Sequence, residues 1–177
     1  MDLSYDVFSK ILLLGPCRVG KSNLVSQFVQ NFFRDDYIAT IGGEFAFKNL
    51  EYGDKKVKLQ IWDTSGDDKH KYVVKDYYPY AAVLVVVFDI TNEDSFKKIP
   101  QFLSEAKAKA KQDTKFILVG NKLDLSESRV VKYDEVKALA QDQGVLYLEA
   151  SAKDDTNVNT IFMEAAGLIL GIKAKDD

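Results

Sequence analysis

The stretch "ILLLGPCRVGKSN", residues 11–23, decides the fold. A run of aliphatics ends at Gly15, and Gly20-Lys21-Ser22 follows at the spacing G-x-x-x-x-G-K-[ST] of a P-loop set between a strand and a helix. Backbone N–H groups of Cys17, Arg18, Val19, Gly20, Lys21, Ser22 and Asn23, gathered at a helix start, face phosphate there. Lys21 reaches the outer two phosphates, and the Ser22 hydroxyl suits Mg2+.

Outward from this loop, short β-branched runs alternate with helical patterns along the whole chain, the signature of a parallel sheet with crossover helices. Strands are expected near 8–14, 43–51, 56–62, 82–88, 115–120 and 145–148, and helices near 21–31, 68–78, 93–110, 133–142 and 157–171. "VLVVVFD" has no polar alternation, as a central strand covered on both faces requires. Gly53-Asp54, between two strand-like runs, predicts an antiparallel hairpin at one edge. The expected fold is α/β: six strands, mostly parallel with one antiparallel edge strand, and helices on both faces.

With 177 residues and 46% hydrophobic content, the chain is the size of one domain with a real core. Its net charge of -3, with both signs dispersed, gives no basic field for nucleic acid. One cysteine, Cys17, excludes an internal disulfide and suits a reducing, cytoplasmic setting. The longest apolar run, "AAVLVVVF", is too short to span a bilayer. The "AKAKAK" segment at 106–111 reads as a solvated helix face. Residue 2 is Asp and "GIKAKDD" holds no cysteine, so membrane contact is expected only through a lipidated tail that these residues do not contain.

The base is read further along. "FILVGNKLDL" puts Asn121, Lys122 and Asp124 at a strand end, where ligands meet an open α/β sheet. A carboxylate at Asp124 can accept from the ring N–H and exocyclic amine of guanine, a pair adenine does not offer. "EASAK" places Ser151, Ala152 and Lys153 after the next strand, where a backbone N–H could donate to the guanine carbonyl.

The P-loop, "TIGGEF", "WDTSG", "NKLD" and "SAK" stand in the order and spacing of the Ras superfamily of small GTPases, and the chain resembles it over residues 8–172. "IGGEF", "KLQIWDTSG" and "DYYPYA" look most like the Rab branch. This resemblance implies a P-loop NTPase G-domain over residues 1–177, binding GTP or GDP with Mg2+. It implies that Phe33 packs on the guanine edge, Tyr37 covers the phosphates, Thr40 joins Ser22 on Mg2+, and Asp63 holds the metal through water. The Gly66 N–H would touch the γ-phosphate. Phe45, Trp62 and Tyr77 would form an aromatic patch read by effectors; core packing is the competing reading for Phe45 and Trp62.

The pattern breaks in two places. Where relatives carry a glutamine that orients the attacking water, this chain has Asp67. A carboxylate accepts from that water but cannot also donate, and its charge repels the γ-phosphate, so weak intrinsic hydrolysis is expected. Cys17 replaces a Gly or Ser and would crowd an inserted arginine. Arg18 sits where a positive φ is expected, pointing to solvent first and along the phosphates second. Cys17 reads as an unreactive filler rather than an activated thiol, and His70 is assigned no chemistry.

Three functions follow. The first is a switch cycling between GDP and GTP, recruiting effectors in vesicle traffic under exchange factors and GTPase-activating proteins. The second is a GTP-held binding module that rarely hydrolyses, and the third, disfavoured by "NKLD" and "SAK", is a small-molecule phosphotransferase.

Overall fold

The computed structural model describes residues 4–67 and 71–172. Its six strands are β1 (Val7–Leu14), β2 (Gly43–Tyr52), β3 (Lys55–Thr64), β4 (Val83–Asp89), β5 (Lys115–Asn121) and β6 (Leu146–Glu149). They form one sheet in the order β2-β3-β1-β4-β5-β6. β2 runs antiparallel to β3 with Phe45 opposite Trp62, and every other pairing is parallel. The expected hairpin turns at Gly53, whose φ of 61° is in the left-handed region that glycine enters at little cost. β4 is buried along its whole length, as its unbroken apolar run requires.

Side chains alternate across the sheet. Ile11 and Leu13 of β1 face a core shared with Leu24 and Phe28 of α1 (Lys21–Gln30) and with Ile161 and Phe162 of α6 (Val158–Ile169). Leu12 and Leu14 face the opposite core. That side is closed by α2 (Lys71–Lys75), α3 (Glu93–Lys97), α4 (Ile99–Lys109) and α5 (Tyr133–Gln143). Phe28 and Phe162 stack with centroids 4.0 Å apart, fixing α1 against α6 behind the loop.

Three elements differ from expectation. The single helix expected over 93–110 is two, because Pro100 has no N–H to give the Phe96 carbonyl and the ladder breaks at Lys98. The helix expected over 68–78 begins, in the described residues, at Lys71 and ends at Lys75, and a 3-10 turn at Tyr78–Tyr80 carries Pro79. Asp68 and His70 lie outside the described residues. A 3-10 stretch at Leu123–Ser128, which periodicity did not signal, follows β5.

In this order β1 lies between β3 and β4, with the earlier strands of the chain built outward on one side of it and the later strands on the other, so the chain switches direction there. The loops after β1, β3, β5 and β6 open on one edge, the place such sheets bind ligands.

Candidate functional site

The loop from Gly15 to Gly20 leaves β1 and delivers the chain into α1. Gly20 takes φ 97°, and a side chain there would run into the Asn121 amide. That closeness is used: Asn121 Nδ2 donates to the Val19 carbonyl at 2.9 Å, and its Oδ1 accepts from the Ala152 N–H at 3.3 Å. One buried amide thus ties the phosphate loop to both base loops. Ser151 Oγ donates to Asp124 Oδ1 at 2.7 Å, fixing the carboxylate that the sequence assigned to guanine. Lys122, at φ 69°, pairs with Asp89 at 2.8 Å, and Lys153 lies 3.8 Å from Asp35 at the surface.

At the phosphate end, Lys21 Nζ donates to the Gly15 and Pro16 carbonyls at 2.9 and 2.8 Å. Burial pushes its pKa down to about 8, partly offset by the negative charge of Asp63 and by Cys17. A phosphate beside this ammonium favours its charged form. Gly66 packs so tightly on the loop that a side chain would strike the Pro16 and Cys17 backbone, which holds its peptide beside the loop.

Ser22, Thr40 and Asp63 converge from α1, the segment before β2, and the end of β3. Ser22 Oγ lies 3.0 Å from Thr40 Oγ1 and donates to Asp63 Oδ2, which Thr40 Oγ1 also approaches at 3.5 Å. Asp63 Oδ1 is buried without a hydrogen-bond partner among the described residues. Burial pushes this carboxyl up, against the Ser22 hydrogen bond and the Lys21 charge. Two hydroxyls beside a carboxylate with an unmatched oxygen form a hard-oxygen set that fits Mg2+. No cluster of three His, Cys, Asp or Glu side chains stands anywhere among the described residues.

These groups line one cleft of about 870 Å³, together with Phe33, Tyr37 and Asp67. Asp67 N–H donates to Ser65 Oγ at 3.2 Å, so Ser65 shapes the turn carrying Asp67. Asn23 turns its amide to Arg34, donating to its carbonyl at 2.9 Å and accepting from its N–H at 3.0 Å. Its side chain therefore anchors the segment after α1, leaving only backbone to the nucleotide. Arg18 is exposed, as expected, yet its guanidinium lies 4.4 Å over the Tyr37 ring.

A model of the Ras family matches residues 10–171. The chain belongs to the Ras family. Ras-related protein RIC1 of Oryza sativa subsp. japonica is 43% identical over 169 residues, covering 96% of this chain and 84% of that protein. Ras-related protein SEC4 of Saccharomyces cerevisiae is 43% identical over 166 residues, 94% of this chain and 77% of its own. Ras-related protein RABD2a of Arabidopsis thaliana is 40% identical over 169 residues, with 96% and 83% covered. These relatives put the small GTPase in the Rab branch, and the activity of the family is hydrolysis of GTP.

In this GTPase Phe45 borders the cleft, whereas Trp62 and Tyr77 lie outside it. Phe45 and Trp62 rings are 5.4 Å apart, and Trp62 and Tyr77 are 4.7 Å apart. Phe45 is 56% exposed and so is no core residue, whereas Trp62 is half-buried against the second core.

Two supports escaped sequence reading. Arg129 grips Glu149 with both nitrogens, at 2.7 and 2.8 Å, and Tyr147 adds a hydrogen bond of 2.6 Å. The cluster ties the stretch after Asp124 to the strand before Ser151. Lys75 pairs with Glu105 at 2.8 Å, fastening α2 to α4.

Proposed function

We propose that this Rab-branch GTPase is a GTP/GDP switch recruiting effectors in vesicle trafficking, built as one G-domain over residues 1–177. The convergence of Ser22, Thr40 and Asp63 carries the reading, because these residues would hold a metal there and so couple the segment before β2 to a γ-phosphate. Mg2+, when bound, would neutralise charge on the β- and γ-phosphates. Lys21 holds positive charge beside the transferred phosphoryl group, and the Gly66 N–H stands where a γ-phosphate oxygen is met. Asn121, Lys122, Asp124, Ser151, Ala152 and Lys153 hold the base, with Phe33 against its edge. Loss of the γ-phosphate removes what holds Thr40, so its segment relaxes.

The aromatic trio Phe45, Trp62 and Tyr77 is the surface offered to effectors, and exchange factors and GTPase-activating proteins act on the segments around it. No described helix is long and apolar enough to cross a membrane. Contact with endomembranes, in this reading, falls to a lipidated tail, with the domain itself on the cytoplasmic side.

Hydrogen exchange over residues 32–42 tests the switch. Protection should rise with a non-hydrolysable GTP analogue and Mg2+ relative to GDP, and equal protection in both states would sink it. Asp67 sets the pace of turnover by orienting water less well than an amide does. An interaction of about 1.4 kcal/mol in the transition state is tenfold in rate, and Asp67→Gln should accelerate single-turnover cleavage by at least about that. An unchanged or slower rate would refute the role given to the carboxylate.

A further inference from the structure

Arg18 occupies a left-handed backbone conformation, φ 67°, that residues with a β-carbon seldom take. Its base is fixed: Val19 beside it is 1% exposed, and the Val19 carbonyl is held by Asn121. From there its side chain reaches the 32–42 segment and lays its guanidinium over the Tyr37 ring. Burial, and then Cys17 beside it, push the pKa of the Tyr37 hydroxyl up, so both unusual loop residues bear on the same tyrosine. Of the other ties between that segment and the loop's helix, the contacts of Asn23 and Ser26 hold only its start, and Thr40 to Ser22 belongs to the metal site and to the γ-phosphate. Arg18 and Tyr37 need neither.

We propose that Arg18 is a positioning residue that latches Tyr37 across the mouth of the phosphate channel, slowing nucleotide release with GDP as well as with GTP. The inference rests on the guanine-nucleotide reading above. Release requires the 32–42 segment to lift, and lifting it breaks a cation–aromatic stack. Such a contact at an exposed site corresponds to roughly a two- to fivefold change in rate. The latch also gives the two departures in the loop a common purpose: they trade room for an inserted arginine for a lid that stays down after hydrolysis.

The test is the release rate of fluorescent GDP and of a fluorescent non-hydrolysable GTP analogue, chased with excess unlabelled nucleotide in Mg2+. Arg18→Ala should speed release of both by about two- to fivefold. Tyr37→Ala should do the same, and the double variant should be no faster than the faster single one. Tyr37→Phe, which keeps the ring, should hold nucleotide better than Tyr37→Ala. Arg18→Gly, at ease at this φ, repeats the measurement should the alanine variant fold poorly. Unchanged or slower release in both Arg18 variants overturns the latch, as does an effect confined to the GTP analogue. Fully additive effects in the double variant also overturn it, since Arg18 would then serve the phosphates rather than Tyr37. A native protein that holds ADP as firmly as GDP would instead overturn the functional reading on which the latch rests.

Discussion

At the base end of the cleft Asn121, Ser151 and Ala152 are 1%, 0% and 3% exposed, whereas at the phosphate end Tyr37, Ile38 and Ile41 are 47%, 59% and 82% exposed. The base end is cross-braced before any ligand arrives: Asn121 to Val19 and Ala152, Ser151 to Asp124, Arg129 to Glu149. The segment at the phosphate end leans on Thr40, on the Arg18 stack and on the Asn23 contacts at its start. On the proposed reading, recognition and switching are thus divided in space. A buried, satisfied polar network rigidifies what must discriminate, and an exposed segment with few anchors is free to respond to one phosphate.

The largest expected effect comes from breaking the braced end. Asn121→Ala leaves the Val19 carbonyl and the Ala152 N–H without their partner in the interior. GDP affinity by calorimetry should fall by about 2–4 kcal/mol, roughly 30- to 1,000-fold. A fall under threefold would mean that the seam between base and phosphate loops carries little.

Asp124→Asn probes the same end more gently. An amide cannot accept both guanine hydrogens, but its N–H can meet a carbonyl at the same ring position, as in xanthine. Preference should therefore turn from GDP toward xanthosine diphosphate by about 100-fold in relative affinity, and a variant still preferring GDP would contradict the role given to Asp124.

Acid weakens the brace. Burial would raise the Glu149 carboxyl, but hydrogen bonds from Arg129 and Tyr147 and the Arg129 charge outweigh it and hold the pKa below the usual 4.5. A carboxylate with a lowered folded value contributes stability above 4.5 that fades as pH falls through that window. Urea midpoints at neutral pH should show Glu149→Gln less stable by about 1 kcal/mol, with a shallower decline toward acid than the native chain. Parallel declines would rule out Glu149 as a source of the acid limb.

The smallest effect is expected where the two ends touch at the surface. Lys153 and Asp35 are 56% and 82% exposed, so Asp35→Ala should change GDP release by less than about twofold. A larger change would show that the division between the two ends is less complete than burial indicates.

How much was legible follows the same division. The P-loop, "NKLD" and "SAK" are contiguous, and each follows a strand whose apolar run is itself readable, so the sheet, the helices on both faces and the cleft residues could be placed from sequence. Arg18 and Tyr37 are far apart in the chain, and no periodicity tells which way an exposed arginine turns. Arg129 was missed for a related reason: its partner Glu149 stands on another element, and a charge in a polar stretch reads as solvated. Asn23 was assigned to the nucleotide through its backbone N–H, and its side chain's service to Arg34 was not legible because the partner lies eleven residues on. The break before α4 was within reach, since Pro100 announces it.

The hairpin of β2 and β3 puts Glu44 opposite Asp63 and Phe45 opposite Trp62, so the metal-side carboxylate and the aromatic grip occupy successive rungs of one ladder. Coupling between such neighbours runs both ways, because linkage is reciprocal. A protein that grasps Phe45 and Trp62 tenfold more firmly in the triphosphate form must, by the same factor, make that form's nucleotide harder to lose relative to the diphosphate. A partner that prefers this face in the triphosphate form would therefore also favour retention of the triphosphate.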